Sequence, residues 1–253
     1  MKLSGRTILI TGASSGIGLE LAKQLIKRGN TVIATGRDVQ KLDQLRRTLP
    51  RVHIFQSDVS NLSAIEDLYA SVTVQFPDLD TLINNAGIMR SVDLNVNQAN
   101  DALTAEIDIN LNGPIRMIQQ FLPHLKKRSN GLIVNVSSAL AYVPLPASPI
   151  YSATKAGLHA YTQALRVQLR KSTVKVVELL PPAVETPLIT QFAKEMKGQK
   201  TMSSVELAKK TIEGIEAGRT EIRPGMSNIL MAMSRIAPAF ALKQMVKAFE
   251  PKH

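Results

Sequence analysis

Tyr151 and Lys155 stand four positions apart in the run Tyr151-Ser152-Ala153-Thr154-Lys155. On a helix that spacing puts both side chains on one face, and a phenol beside an ammonium is a group that can exchange a proton with a substrate oxygen. A free tyrosine titrates at about 10, so exchange near pH 7 asks for about 4 kcal/mol of preferential phenolate stabilisation. A lysine ammonium at about 4 Å supplies roughly that much at an effective dielectric near 20, so one cation is nearly sufficient. The pair alone is common by chance, and a half-buried tyrosine in a helix ordinarily just packs. Its weight comes from Gly131-Leu132-Ile133-Val134-Asn135-Val136-Ser137-Ser138, which reads as a strand ending in hydroxyls, with Ser138 placed 13 residues before Tyr151.

A second constellation is Thr11-Gly12-Ala13-Ser14-Ser15-Gly16-Ile17-Gly18, between a first strand and a first helix. Aligned backbone N–H groups and the helix dipole bind anions at such a turn, and pyrophosphate is the natural guest. The glycines serve tight reversal, close approach of backbone to phosphate, and close packing of helix on strand, although a purely structural turn also favours them. Gly12-Ala13-Ser14-Ser15-Gly16 fits the nucleophile elbow of serine hydrolases as well. Against that reading, only one strand precedes it, and none of the four histidines carries a local signature of a base. About twenty residues on, an acid would select NAD and a cation would tolerate a ribose 2′-phosphate. The sequence offers Thr35-Gly36-Arg37-Asp38, with Gly36 where the acid is expected and Arg37 able to bond a phosphate, so NADP is favoured and NAD remains open. Asp38 suits an N-cap for the segment that follows.

These residues need a scaffold. Short β-branched runs at Thr7 to Thr11, Thr31 to Thr35, Val52 to Gln56, Thr81 to Ile83, Leu132 to Val136 and Val174 to Leu180 read as strands. Amphipathic segments lie between them, among them Ile65 to Val74 and a long helix from Tyr151 to Leu169. Strand and helix alternating this way predict an α/β fold, a doubly wound, Rossmann-like parallel sheet with helices on both faces, in a single domain over 1–253. Ligands then sit at the carboxyl ends of the strands. The stretch at about 184–202 is read as a lid, and the apolar segment at about 226–249 as a pocket cover, an oligomer contact or a surface lying on a membrane, in that order.

Composition narrows the chemistry. The chain has 253 residues and no cysteine, which removes disulfides, thiolate catalysis and cysteine-held metals, and no metal site is expected. The net charge is +11, yet only 4% of residues are aromatic and no basic block interleaves with them, so no nucleic-acid partner is expected. Neither a signal peptide nor a transmembrane span is read, and the chain is expected to act in the cytoplasm on a small-molecule substrate.

Taken together, the TGxxxGxG turn at Thr11 to Gly18, the Asn84-Asn85-Ala86-Gly87 element, the strand-terminal Ser138, and Tyr151 with Lys155 resemble the short-chain dehydrogenase/reductase family over essentially the whole chain. The resemblance implies that Tyr151 exchanges the proton with the substrate oxygen, that Lys155 lowers its pKa and binds the nicotinamide ribose, and that Ser138 hydrogen-bonds the carbonyl. It implies that Asn110 interrupts a helix and holds a water in a proton relay, and that Asp58, Val59, Asn85, Ala86 and Gly87 contact the cofactor together with Gly12, Ser14, Ser15, Gly16, Ile17, Gly18 and Arg37. As residues alone, Asp58 and Asn85 equally suit closing strand-end turns. Pro181-Pro182 stands where members usually have Pro-Gly, so the contacts implied for Val184 and Thr186 follow a stiffer segment. The Pro-Pro-Ala-Val-Glu-Thr run and the later Ser-Arg-Ile-Ala-Pro segment resemble the branch named for D-alanine esterification of teichoic acids.

The implied reaction is NADP-preferring hydride transfer to or from a small carbonyl or alcohol, in a pocket made apolar by Leu140, Tyr142, Leu145, Leu188, Ile189 and Phe192. The rival is a catalytically silent, NADP(H)-sensing binding protein, which loss of a catalytic residue would favour; none is lost. The resemblance also implies a homodimer or homotetramer built partly through the Tyr151 helix, where Ala153, Ala156, Gly157 and Ala160 permit close approach.

Overall fold

A computed structural model describes residues 1–96, 100–192 and 201–249. The apolar runs form seven strands among the described residues: β1 (Thr7–Thr11), β2 (Thr31–Gly36), β3 (Val52–Gln56), β4 (Leu79–Asn84), β5 (Leu132–Val136), β6 (Lys175–Leu179) and β7 (Glu221–Ile222). All pair in parallel, in the order β3-β2-β1-β4-β5-β6-β7. β5 is buried at every residue, as a central strand covered on both faces must be. The order reverses between β1 and β4, so the crevice for a ligand opens above their carboxyl ends.

Two apolar layers cover the sheet. On one face α1 (Gly16–Lys27) and α7 (Ser204–Glu216) bury Leu21, Leu25, Leu207 and Ile212 against β1 and β5. On the other, α3 (Leu62–Gln75), α5 (Gly113–Lys126) and α6 (Pro149–Gln168) bury Leu68, Phe121 and Leu165. α2 (Val39–Thr48) starts where expected, because the Asp38 carboxylate accepts the Lys41 N–H at 3.1 Å. A third cluster, Met89, Val143, Leu145, Tyr151, Phe192, Ala241 and Met245, caps the carboxyl edge and includes α9 (Pro238–Phe249), which follows α8 (Ser227–Ile236).

The six expected strands are present, three with the expected bounds and three with ends shifted by one or two residues. The two-residue β7 carries no periodic signal. A π-helical turn, Asp108–Asn112, joins α4 (Asn100–Ile107) to α5, and Asn110 stands within it, where the regular helix is interrupted. No described helix is long and apolar enough to cross a membrane.

Candidate active site

A cavity of about 760 Å³ runs along the carboxyl ends of the strands, from the β1–α1 turn to α9. Gly12, Ser14, Ser15, Gly16 and Ile17 line one end, Arg37, Asp58 and Val59 flank it, and Asn85, Ala86, Gly87, Ser138, Tyr151, Lys155, Val184 and Thr186 complete the wall. Sixteen of the eighteen site residues expected from sequence therefore share one cavity. Gly18 and Asn110 do not line it; both stand behind the wall and shape it.

The turn is built by close approach. Gly12 has φ +65, and a Cβ there would lie 2.8 Å from Ala86 Cα, so only glycine lets the β4 end pack against the turn. Asn85 fixes the contact, with its Nδ2 donating to Thr11 O at 2.9 Å and to Gly12 O at 3.1 Å. Thr11 Oγ1 in turn accepts the N–H groups of Asn85 and Ala86, each at 3.0 Å. Asn85 thus both lines the cavity and closes a turn. Asp58 does the same, accepting from Ser60 N at 2.9 Å and Ser60 Oγ at 2.7 Å.

At the end expected to meet the adenosine ribose, Gly36 leaves the expected acid position without a side chain, and Ser14 Oγ is 3.6 Å from where its Cβ would be. Arg37, Asp38 and Lys41 line this end. The backbone N–H of Lys41 holds the Asp38 carboxyl below its usual range, and Lys41 Nζ lies 3.6 Å from it. Lys41 was missed from sequence; its signal is its place in the first turn of α2, three residues after the cap.

Ser138, two residues past the end of β5, caps the short 3-10 turn Ala139–Ala141, its Oγ accepting the Leu140 N–H at 3.1 Å. Pro149 lies at the start of α6, where its missing N–H costs nothing, and brings Tyr151 and Lys155 onto the cavity. Lys155 Nζ donates to Val136 O at 2.9 Å and lies 5.5 Å from the Tyr151 ring centroid. Asn110 is fully buried in the π turn, accepting from Ile88 N and donating to Ile88 O, both at 2.8 Å, with Thr154 Oγ1 at 3.3 Å. Its side chain is thereby committed to Ile88 and Thr154.

The electrostatics correct one expectation. In the chain alone the Tyr151 phenol is raised rather than brought near 7. Burial pushes the phenol up to about 12; a hydrogen bond with Ser138 opposes that, and Glu106 adds to it. The Lys155 ammonium lies over the ring and donates to the Val136 carbonyl, and the desolvation of a buried phenolate dominates. Burial also brings Lys155 down to about 8, against the pull of Glu178 and Glu106. Near pH 7 the site in the chain alone holds a neutral phenol beside a cationic lysine.

The remaining wall is apolar. Leu140, Leu145, Leu188, Ile189 and Phe192 line it as expected. Tyr142 does not: it packs edge-on against His159, with ring centroids 5.1 Å apart. Sequence reasoning did not single out Met89, Leu230, Met233, Ala241, Gln244 and Met245, most of which come from α8 and α9, the helices of the apolar C-terminal segment. Of the stretch expected to act as a lid, 193–200 lies outside the described residues. Val184 to Phe192 folds over the turn, with Thr186 Cγ2 placed 3.1 Å from where a Gly16 Cβ would be, and Val184 bridges to Met202. On α6, Ala153, Ala156 and Ala160 are exposed, whereas Gly157 packs on Leu111 within the chain.

The sequence pattern of the short chain dehydrogenases matches residues 6–197. An uncharacterised oxidoreductase, DltE of Bacillus subtilis, is 40% identical over 225 residues, covering 88% of this chain and 89% of the relative. A short chain dehydrogenase from Burkholderia cenocepacia, solved in complex with NADP, superposes with a TM-score of 0.84 at 26% identity, covering 97% of this chain and 99% of that one. A 3-ketoacyl-(acyl-carrier-protein) reductase from Brucella melitensis, complexed with NADH, gives a TM-score of 0.77 at 27% identity, covering 84% and 91%. With its motifs gathered in one cavity of the doubly wound sheet, the chain belongs to the short-chain dehydrogenase/reductase family of oxidoreductases, in the branch of its DltE relative.

Proposed function

We propose that the protein is an NADP-preferring reductase or dehydrogenase of small apolar carbonyls or alcohols, with Tyr151 as the general acid and base. The observation that carries this reading is the convergence of Ser138, Tyr151 and Lys155 on a cavity whose far end is the glycine-rich turn. The turn fits a dinucleotide: a side chain at Gly12 would strike backbone, the α1 N-terminus lies beside it, and Arg37 and Lys41 supply cations where a 2′-phosphate belongs. A bound nicotinamide supplies or accepts the hydride.

The chain's own residues handle the proton and the oxygen. With its phenol at about 12, Tyr151 is protonated at neutral pH and is the acid that carbonyl reduction requires. The Ser138 hydroxyl, whose oxygen already accepts from Leu140, has its proton to donate toward the same substrate oxygen. The Lys155 ammonium stabilises the phenolate left behind and binds the ribose. Leu140, Leu188, Phe192 and Met245 exclude water and select apolar substrates. The reading includes a lid at 184–202, a second copy docked through α6, and a cytoplasmic location.

Titration of the purified protein with NADPH and NADH, followed by a carbonyl panel with Tyr151→Phe as control, tests it. The expected result is tighter binding of NADPH, turnover of apolar carbonyls, and a variant that binds cofactor normally yet loses at least about a thousandfold in kcat. Binding without turnover favours the NADP(H)-sensing alternative, and binding of neither cofactor overturns both.

A further inference from the structure

Glu178, on β6, is a wholly buried carboxylate outside the catalytic set. A buried charge is costly unless paired and hydrogen-bonded. Its partners come from two other elements. Ser137 Oγ donates to Glu178 Oε1 at 2.5 Å, and His159 Nδ1 lies 3.0 and 2.9 Å from the two carboxylate oxygens. Ser137 is the residue before Ser138. His159 stands one helical turn beyond Lys155 on the same face of α6. One carboxylate therefore ties the strand end that carries Ser138 to the helix that carries Tyr151 and Lys155.

Adhesion between helix and sheet does not explain the charge. A neutral row beside it already joins them: Asn84 Nδ2 donates to Asn135 Oδ1, and Asn135 Nδ2 to Thr162 Oγ1 on α6, both at 2.9 Å. Asn84, Asn135 and Glu178 are in register across β4, β5 and β6. Amides suffice at the first two positions, and a carboxylate stands only at the third, nearest the lysine helix turn. We propose that Glu178, held by Ser137 and His159, is a positioning residue that sets both the placement and the charge of Lys155. The proposal rests on the reading of Lys155 given above.

The charged and titratable surroundings are consistent with it. Lys155 faces Tyr151 on its own helix, Glu106 from α4 and Glu178 from β6, and the two acids oppose the burial that lowers it. His159 faces Glu178, the Tyr142 ring, Glu221 of β7 and Arg166 of α6; its bond to Glu178 raises it above the ordinary imidazole value.

Competitive acetylation of Lys155 across pH 6 to 10, read by mass spectrometry, reports its ionisation without any turnover. Glu178→Gln keeps the shape and removes the charge, and is expected to lower the midpoint by about one pH unit, making Lys155 about tenfold more reactive below it. His159→Gln, which keeps a hydrogen-bond donor to Glu178 but can carry no charge, is expected to leave the midpoint at or above that of wild type. A midpoint unchanged in Glu178→Gln overturns the proposal. Should that variant fail to fold by circular dichroism, His159→Leu decides: a severalfold loss of kcat that His159→Gln restores supports positioning, and an unchanged kcat overturns it. A wild-type protein that reduces no carbonyl defeats the catalytic reading, whereas the acetylation midpoints still judge this one.

Discussion

Gly18→Ala separates local preference from tertiary constraint. Gly18 lies inside α1, and its φ is not in the left-handed region, so by helix propensity alone alanine stabilises by about 0.8–1 kcal/mol. The packing says the reverse. A Cβ at this position would lie 2.5 Å from Asn85 Nδ2, 2.5 Å from Gly12 O and 3.0 Å from Ala13 Cα. Two of those atoms are backbone, and the third belongs to the amide that clamps the turn through Thr11 O and Gly12 O. Overpacking of this kind costs about 1–3 kcal/mol, and near the upper end here because backbone must move. The net is about 2 kcal/mol of destabilisation, equivalent to a drop of about 4–8 °C in Tm for a chain of this size. The control is Gly157→Ala, also within a helix, whose Cβ would meet only the tips of the Leu111 side chain at 3.2 and 3.4 Å. There the propensity gain is expected to survive, with stability within about 1 kcal/mol of wild type. Thermal melts of both variants with and without saturating NADPH make the test. Gly18→Ala is expected to melt lower and to lose most of the cofactor-induced shift; a Tm equal to or above wild type would refute the argument that Gly18 is set by the Asn85 clamp.

Other outcomes follow from the cavity walls. Arg37→Ala and Lys41→Ala are each expected to weaken NADPH by about 5- to 30-fold, or about 1–2 kcal/mol for one exposed cation on a phosphate, and to leave NADH within about twofold. Fluorescence titration at low and high salt checks this, and equal losses for both cofactors sink the assignment of that end to the 2′-phosphate. Met245→Asp sets a carboxylate in the apolar wall beside Phe192 and Ala241. It is expected to lower kcat/KM for medium-chain aliphatic carbonyls by at least about tenfold while short polar carbonyls change little, and a uniform loss across chain lengths would remove α9 from the substrate wall.

The sequence by itself determined what lies close along the chain. Six of the strands, the cap at Asp38, the glycine-rich turn and the spacing of Ser138, Tyr151 and Lys155 are all encoded within windows of fewer than twenty residues, where periodicity and turn chemistry act directly. The parallel sheet then gathers sixteen of the eighteen expected site residues on one cavity. Tertiary structure alone decided what depends on the far side of the sheet. How hard Tyr151 is to ionise in the chain alone depends on how deeply α6 is buried, a desolvation that a single ion pair at an assumed distance leaves out. Which residues of the expected C-terminal pocket cover reach the cavity from α8 and α9, and the meeting of Glu178 with Ser137 and His159, depend on contacts between residues distant in sequence, brought together by the parallel sheet. Gly18 stands at the boundary: close packing of the first helix was expected at this glycine, while a partner that forbids a side chain there, Asn85, lies just past β4, 67 positions away in the sequence.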